Sequence, residues 1–187
     1  MPLRLSLARA LPRPSLLRPT RRHFIPFPSA PPLTITTART LPYAPPALYN
    51  LVADINAYAL YLPYCLASTI LTRSPKDNLP TSADLKVGWG QYVETFRSKV
   101  VCDRERGVVS ADASENALFE VLVARWVLRG LEGGEKTQVA LTVEVQFGNP
   151  LYRAVAGGVV PKVAEVMVEA FEKRARMMLG AKRVEGK

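Results

Sequence analysis

The chain has 187 residues and a formal net charge of +9, from 25 Lys and Arg against 16 Asp and Glu. Apolar residues make up 48% of it, which excludes a largely unfolded chain, and the length suits about one domain. No run approaches the roughly 18 consecutive apolar residues of a membrane-crossing helix. The cysteines, Cys65 and Cys102, are too few for a disulfide framework and lack metal-ligand spacing.

Charge is unevenly spread. No acid precedes Asp54, and residues 1–22 hold Arg4, Arg9, Arg13, Arg18, Arg21 and Arg22 among Leu5, Leu7, Leu11, Leu16 and Leu17. An arginine-rich, acid-free start with serine and leucine reads as a mitochondrial presequence, drawn inward by a negative-inside potential. The bland counterpart is a basic arm that contacts nucleic acid or anionic lipid. Arginine interrupts every apolar run there, which disfavours a secretory signal. Without those six arginines the net charge falls to +3, so the high pI belongs to the leader and the folded part carries no nucleic-acid footprint. Residues 23–32 read as a proline-rich linker.

The globular pattern begins at residue 33. LTITTARTL (33–41) is β-branched and predicts a first strand. Pro45 and Pro46 suit the first turn of a helix, with Leu48, Val52 and Ile55 at helical spacing. YALYLPYC then reads as a short second helix or turn. Strands are expected over 66–73, 83–90, 91–102, 107–113, 118–128 and 136–147, parted by turn residues such as Asp77, Asn78 and Gly107. Asn149-Pro150 opens a long helix ending near Gly180. Pro161, with Gly157 and Gly158 before it, predicts a kink or break, read either as a hinge or as a static bend.

This order predicts an α+β fold, an antiparallel sheet with a long terminal helix. In 137–147, Val139, Leu141, Val143, Val145 and Phe147 share one face, and Gln138, Thr142, Glu144 and Gln146 share the other. Leu122, Ala124, Trp126 and Leu128 likewise oppose Arg125 and Arg129. One dry face needs a cover, and the last helix supplies it with Val160, Val163, Met167, Ala170 and Phe171 opposite a charged stripe. A curved sheet around a helix encloses either a cavity or a packed core, and the pattern alone leaves both open.

LPYAPPALYNLVADINAYALYLPYC, VGWGQYVETFRSKV, the spacing of Leu118, Phe119, Leu122 and Trp126, and FGNPLYRAVAG…V…M…AFEKRA together resemble the mitochondrial coenzyme Q-binding protein family of the polyketide-cyclase/START superfamily. The resemblance covers about residues 33–180. It implies a helix-grip fold with an internal hydrophobic cavity in a domain spanning 33–181, ahead of a basic tail at 182–187. It implies coenzyme Q as bound ligand, no catalytic cofactor, and a non-catalytic role in quinone biosynthesis and respiration. Partners implied are a polyprenyl quinone and the quinone biosynthesis machinery; the cost of drawing a polyprenyl tail through water adds an expected peripheral contact with anionic lipid on the matrix side of the inner membrane.

The candidate cavity residues are Trp89, Tyr92, Glu94, Phe96, Ser98, Leu122, Trp126, Leu141, Val143, Val160, Val163, Met167 and Phe171. Glu94 shares a face with Tyr92, Phe96 and Ser98. If that face is inward, its carboxyl must pair or become neutral, and a neutral acid can donate to a quinone carbonyl. The counter-reading is a structural pair or a wetted register. Phe119 and Phe147 are either wall or core. Tyr58, Tyr61 and Tyr64 form either a rim near a mouth or a packed loop. Lys173, Arg174, Arg176, Lys182 and Arg183 either touch anionic lipid or form a solvated face.

Catalytic patterns are missing. His23 is the sole histidine and falls in the linker, so ordinary histidine-based triads and zinc sites are disfavoured. Neither a phosphate loop nor a dinucleotide fingerprint occurs. Two alternatives stay open, an aromatase/cyclase of the same fold and a ribosome-associated interaction protein.

Overall fold

The computed structural model describes residues 31–89, 92–131, 133–149 and 160–180, with backbone alone at Trp89, Tyr92, Val160 and Pro161. In chain order they form β1 (Leu33–Leu41), α1 (Pro45–Ala53), a 3₁₀ turn (Ile55–Leu60), β2 (Cys65–Arg73), β3 (Pro80–Trp89), β4 (Tyr92–Asp103), β5 (Val108–Asp112), β6 (Phe119–Gly130), β7 (Thr137–Phe147) and α2 (Val160–Leu179). The expected presequence, most of the expected linker and the expected basic tail lie outside the described residues, as do Gly157 and Gly158, which framed the expected kink.

The strands make one antiparallel sheet in the order β1-β7-β6-β5-β4-β3-β2. Consecutive strands from β2 to β7 are neighbours, and β1 closes onto β7 with Leu33 opposite Val145 and Leu41 opposite Thr137. The α+β order read from the sequence is therefore the observed one. The turn between β4 and β5 needs Gly107: its φ is +64°, and a Cβ there would lie 2.3 Å from the Leu128 carbonyl oxygen.

Period-two alternation sorts the sheet into a dry and a wet face. Along β7, Val139, Leu141 and Val145 are buried while Gln138 and Glu144 are exposed. The wet face carries the Arg97–Asp84 pair across β3 and β4, with two hydrogen bonds of 2.9 Å. The dry face is covered by α2, whose buried stripe is Ala164, Val168, Phe171 and Ala175. That spacing of four, three and four residues is one face of a helix. The stripe expected from the sequence was turned slightly aside: Val163 and Met167 flank it, and Val168 and Ala175 lie at its centre.

At the far end of α2 the core is solid. α1 starts with Pro45 in its first turn, where a missing N–H is harmless, and buries Leu48, Tyr49, Val52 and Ala53. Leu41, Leu128, Val139 and Leu141 join them. A polar clasp ties three elements together: Thr137 Oγ1 donates to the Tyr43 carbonyl at 2.7 Å, and the Tyr43 hydroxyl donates to the Gly180 carbonyl at 2.8 Å. The expected second helix or turn is the 3₁₀ turn following Asp54. Tyr58 in it is buried, with its hydroxyl donating to the Val52 carbonyl at 2.5 Å, so it is a core residue and not part of a rim.

Candidate functional site

Toward the start of α2 the same dry face is hollow. A cavity of about 280 Å3 lies between sheet and helix. This is at the lower edge of small-molecule sites, which run from roughly 300 to 1,000 Å3. Its floor consists of short side chains at inward strand positions. Ala83 of β3 stands opposite Ser98 of β4, and Val100, Ala111, Ala124 and Val143 are successive partners across β4, β5, β6 and β7. Such side chains leave a gap beneath the helix, and Val163, Ala164 and Met167 form its roof.

Aromatic rings bound the space along the strands. Trp126 and Phe171, with centroids 5.1 Å apart, form the boundary with the solid core. Seven residues earlier on β6, Phe119 packs between Phe96 at 5.5 Å and Phe147 at 4.8 Å. Ile55 and Tyr58 reach in from the 3₁₀ turn. Apart from Ser98 and the Tyr58 hydroxyl, the lining side chains are hydrocarbon, indole or thioether. Burial holds the Tyr58 phenol well above its ordinary pKa, with Tyr61 and then Cys102 adding to the effect. The wall therefore carries no group that exchanges a proton near neutral pH. It can accept an apolar guest by desolvation, which is worth roughly 25 cal/mol per Å2 of apolar surface.

Among the residues singled out from the sequence, Phe96, Ser98, Leu122, Trp126, Val143, Val163 and Met167 border the cavity. Leu141 and Phe171 do not: both are fully buried in the solid half, with Phe171 behind Trp126. Glu94 is in phase with Phe96 and Ser98 but exposed, two residues beyond the last wall position on β4. Its side chain faces solvent and does not turn inward to the wall. The side chains of Trp89, Tyr92 and Val160 lie outside the described residues. Sequence reasoning missed Ala83, Ala111 and Ala124, although alanine at inward positions of adjacent strands was a readable signal.

Both cysteines are half-buried, and burial pushes their thiols above the ordinary value, which keeps them protonated. Among the described residues, no cluster of His, Cys, Asp or Glu is arranged to hold a metal ion. No described helix is long and apolar enough to cross a membrane.

A second, open groove of about 770 Å3 runs between the 3₁₀ turn and the outer side of α2. Leu60 and Met177 line it beside Lys173, Arg174 and Arg176 and the acids Glu169 and Glu172, the last paired with Arg176, and the Arg174 guanidinium sits 5.5 Å over the Tyr61 ring. Leu60 is 75% exposed and Met177 65%, and Tyr64, Leu66 and Met178 are also exposed. Of the expected tyrosine rim, Tyr61 is thus half-buried under an arginine and Tyr64 faces water.

Residues 41–172 match the family model described as polyketide cyclase / dehydrase and lipid transport. The mitochondrial coenzyme Q-binding protein of Schizosaccharomyces pombe is 35% identical over 140 residues, 75% of this chain and 85% of that protein. The ribosome association toxin of Pseudomonas aeruginosa is 32% identical over 152 residues, 78% of this chain and 97% of that protein. Among solved structures, an aromatase/cyclase from Streptomyces superposes with a TM-score of 0.69 at 17% identity, covering 83% of this chain and 98% of that one. At that identity the likeness is one of fold.

Proposed function

The chain belongs to the coenzyme Q-binding proteins of the polyketide cyclase, dehydrase and lipid-transport family, and from that premise we propose that its cavity takes the head of a polyprenyl quinone without transforming it. The observation that carries this reading is the hollow itself, apolar on nearly every side and free of charged groups. A cavity of about 150 Å3 takes a benzene ring, so 280 Å3 holds one substituted ring and the first part of a tail.

A long tail does not fit, and this sets where the protein works. Each five-carbon unit is worth about 4 kcal/mol when kept out of water, at about 0.8 kcal/mol per carbon. The tail therefore stays in the bilayer while the head is held, and the protein sits against the membrane surface. The exposed Leu60, Tyr64, Leu66, Met177 and Met178 supply apolar contact, and Lys173 and Arg174 supply attraction to anionic lipid at about 1 kcal/mol each, while Arg176 is paired with Glu172 at 2.9 Å. Residues 1–22 act as the import leader, which puts the domain on the matrix side of the inner membrane. There it presents quinone to the respiratory chain and to the enzymes that make it.

Extraction of the purified protein and mass spectrometry of its lipids tests the proposal. A polyprenyl quinone recovered at near-stoichiometric amount is expected, and a protein that neither retains nor takes up quinone overturns it. The second reading, a ribosome-associated protein, is favoured by the match over nearly all of the bacterial toxin. Cosedimentation with ribosomal subunits that persists at high salt, together with no bound quinone, would decide for it.

A further inference from the structure

Ser98 is buried to 5% exposure in the middle of β4, and its hydroxyl belongs to the cavity wall. Two polar side chains stand out as buried in the described core, Thr137 and Ser98. Thr137 has a partner in the Tyr43 carbonyl, whereas Ser98 is in the cavity lining and forms no side-chain hydrogen bond with another described residue. The Tyr58 hydroxyl, the other oxygen in the lining, is already engaged with Val52. Ser98 therefore places a hydroxyl in an otherwise apolar wall, with no partner among the described residues to saturate it, where it can meet a guest in the cavity. Its surroundings leave space for one: Ala83 stands opposite across β3, and Phe96 and Val100 are its neighbours on the same face of β4.

We infer that Ser98 Oγ is the hydrogen-bonding anchor for the ligand's ring oxygen, and that it holds the oxidised and the reduced ring alike. The inference rests on the proposed quinone binding and adds which atom orients the ring. A hydroxyl has one donor and two acceptor positions, and its proton rotates to suit. Toward a quinone it donates to the carbonyl; toward a quinol it accepts from the ring O–H. A fixed donor such as an arginine, or a fixed acceptor such as a carboxylate, favours one redox state over the other. Phe96, two residues along on the same face, and its edge-on partner Phe119 offer ring surfaces beside the anchor. Everything else at the wall contributes area without direction.

The test uses the purified full chain and its Ser98→Ala and Ser98→Cys variants with three probes of equal chain length. These are a dimethoxy-methyl benzoquinone bearing a ten-carbon chain, its quinol under reductant, and decylbenzene, which lacks ring oxygens. Loss of one uncharged hydrogen bond predicts about tenfold weaker binding of both quinone and quinol by Ser98→Ala. Ser98→Cys falls between, because a thiol is a weak donor. Decylbenzene binds all three proteins equally. In the infrared spectrum of bound quinone, one carbonyl band moves to lower frequency in the wild type and returns in Ser98→Ala. Equal quinone affinity in all three proteins with an unshifted band would overturn the anchor while leaving the cavity reading intact. A wild type that binds decylbenzene but no quinone would overturn both.

Discussion

The two halves of the sheet's dry face follow the same alternation and end differently. In one half, Leu41, Leu128, Val139 and Leu141 join residues of α1 and Phe171 in one buried cluster. In the other, Ala83, Ser98, Ala111 and Ala124 face the earlier turns of α2 across a gap. Polarity makes both halves dry, but side-chain size alone makes one a core and the other a container. Evolution of a cavity in such a fold requires only short side chains at a few central positions, because the strands and the helix are held apart by the bulky half.

That contrast can be broken from the solid side with the largest effect. Phe171→Ala removes a fully buried ring and the stop behind Trp126, and is expected to cost about 3–5 kcal/mol, read as a fall in the denaturant midpoint at unchanged slope. Next in size is a matched pair of insertions. Ala175→Leu, at a position with 0% exposure, overpacks the solid half and costs about 1–3 kcal/mol. Ala124→Leu puts the same carbons into the hollow; stability holds or rises by chemical denaturation, while quinone binding is lost in titration. If both variants lost stability equally, the contrast would fail.

Smaller effects belong to the outside. Leu60→Glu changes an exposed residue, so melting is expected to stay within about 0.5 kcal/mol of wild type. Flotation with vesicles containing cardiolipin should fall several-fold, since apolar area is lost and a like charge is added. The smallest is on the wet face. The guanidinium of Arg97 holds the Asp84 carboxyl below its ordinary value. A depressed carboxylate stabilises the fold above the unfolded pKa of about 4, and the contribution is lost as pH falls through the folded value. Asp84→Asn is therefore expected to lower the melting temperature by no more than a few degrees at pH 7, with the difference vanishing in acid; the pair is mostly solvent-exposed on the arginine side.

Much of this was readable in the sequence because it rests on periodicity. LTITTARTL is β1 to the residue, and the alternation of 137–147 gave β7 its inner face. The hollow was harder to read. Whether Leu141 lines a cavity or fills a core depends on what stands opposite it, which is a matter of register between strands distant in sequence. Large residues drew the eye to Leu141 and Phe171, whereas Ala111 and Ala124 create the space. Glu94 shows the same limit in another form: its phase along β4 was right, but exposure depends on how far the covering elements extend. For Tyr58 the sequence left a rim and a packed loop open, and only the fold, which brings its hydroxyl onto the Val52 carbonyl, decides for packing.

The clasp of Thr137, Tyr43 and Gly180 has a dynamic consequence. It latches the C-terminal end of α2 to the beginning of β7, whereas the turns around Val163 and Met167 are suspended over empty volume. A beam bolted at one end yields at the other, so amide protons near Ala175 should exchange with deuterium far more slowly than those near Ala164. Loading the hollow with quinone should slow exchange near Ala164 and leave the bolted end as it was.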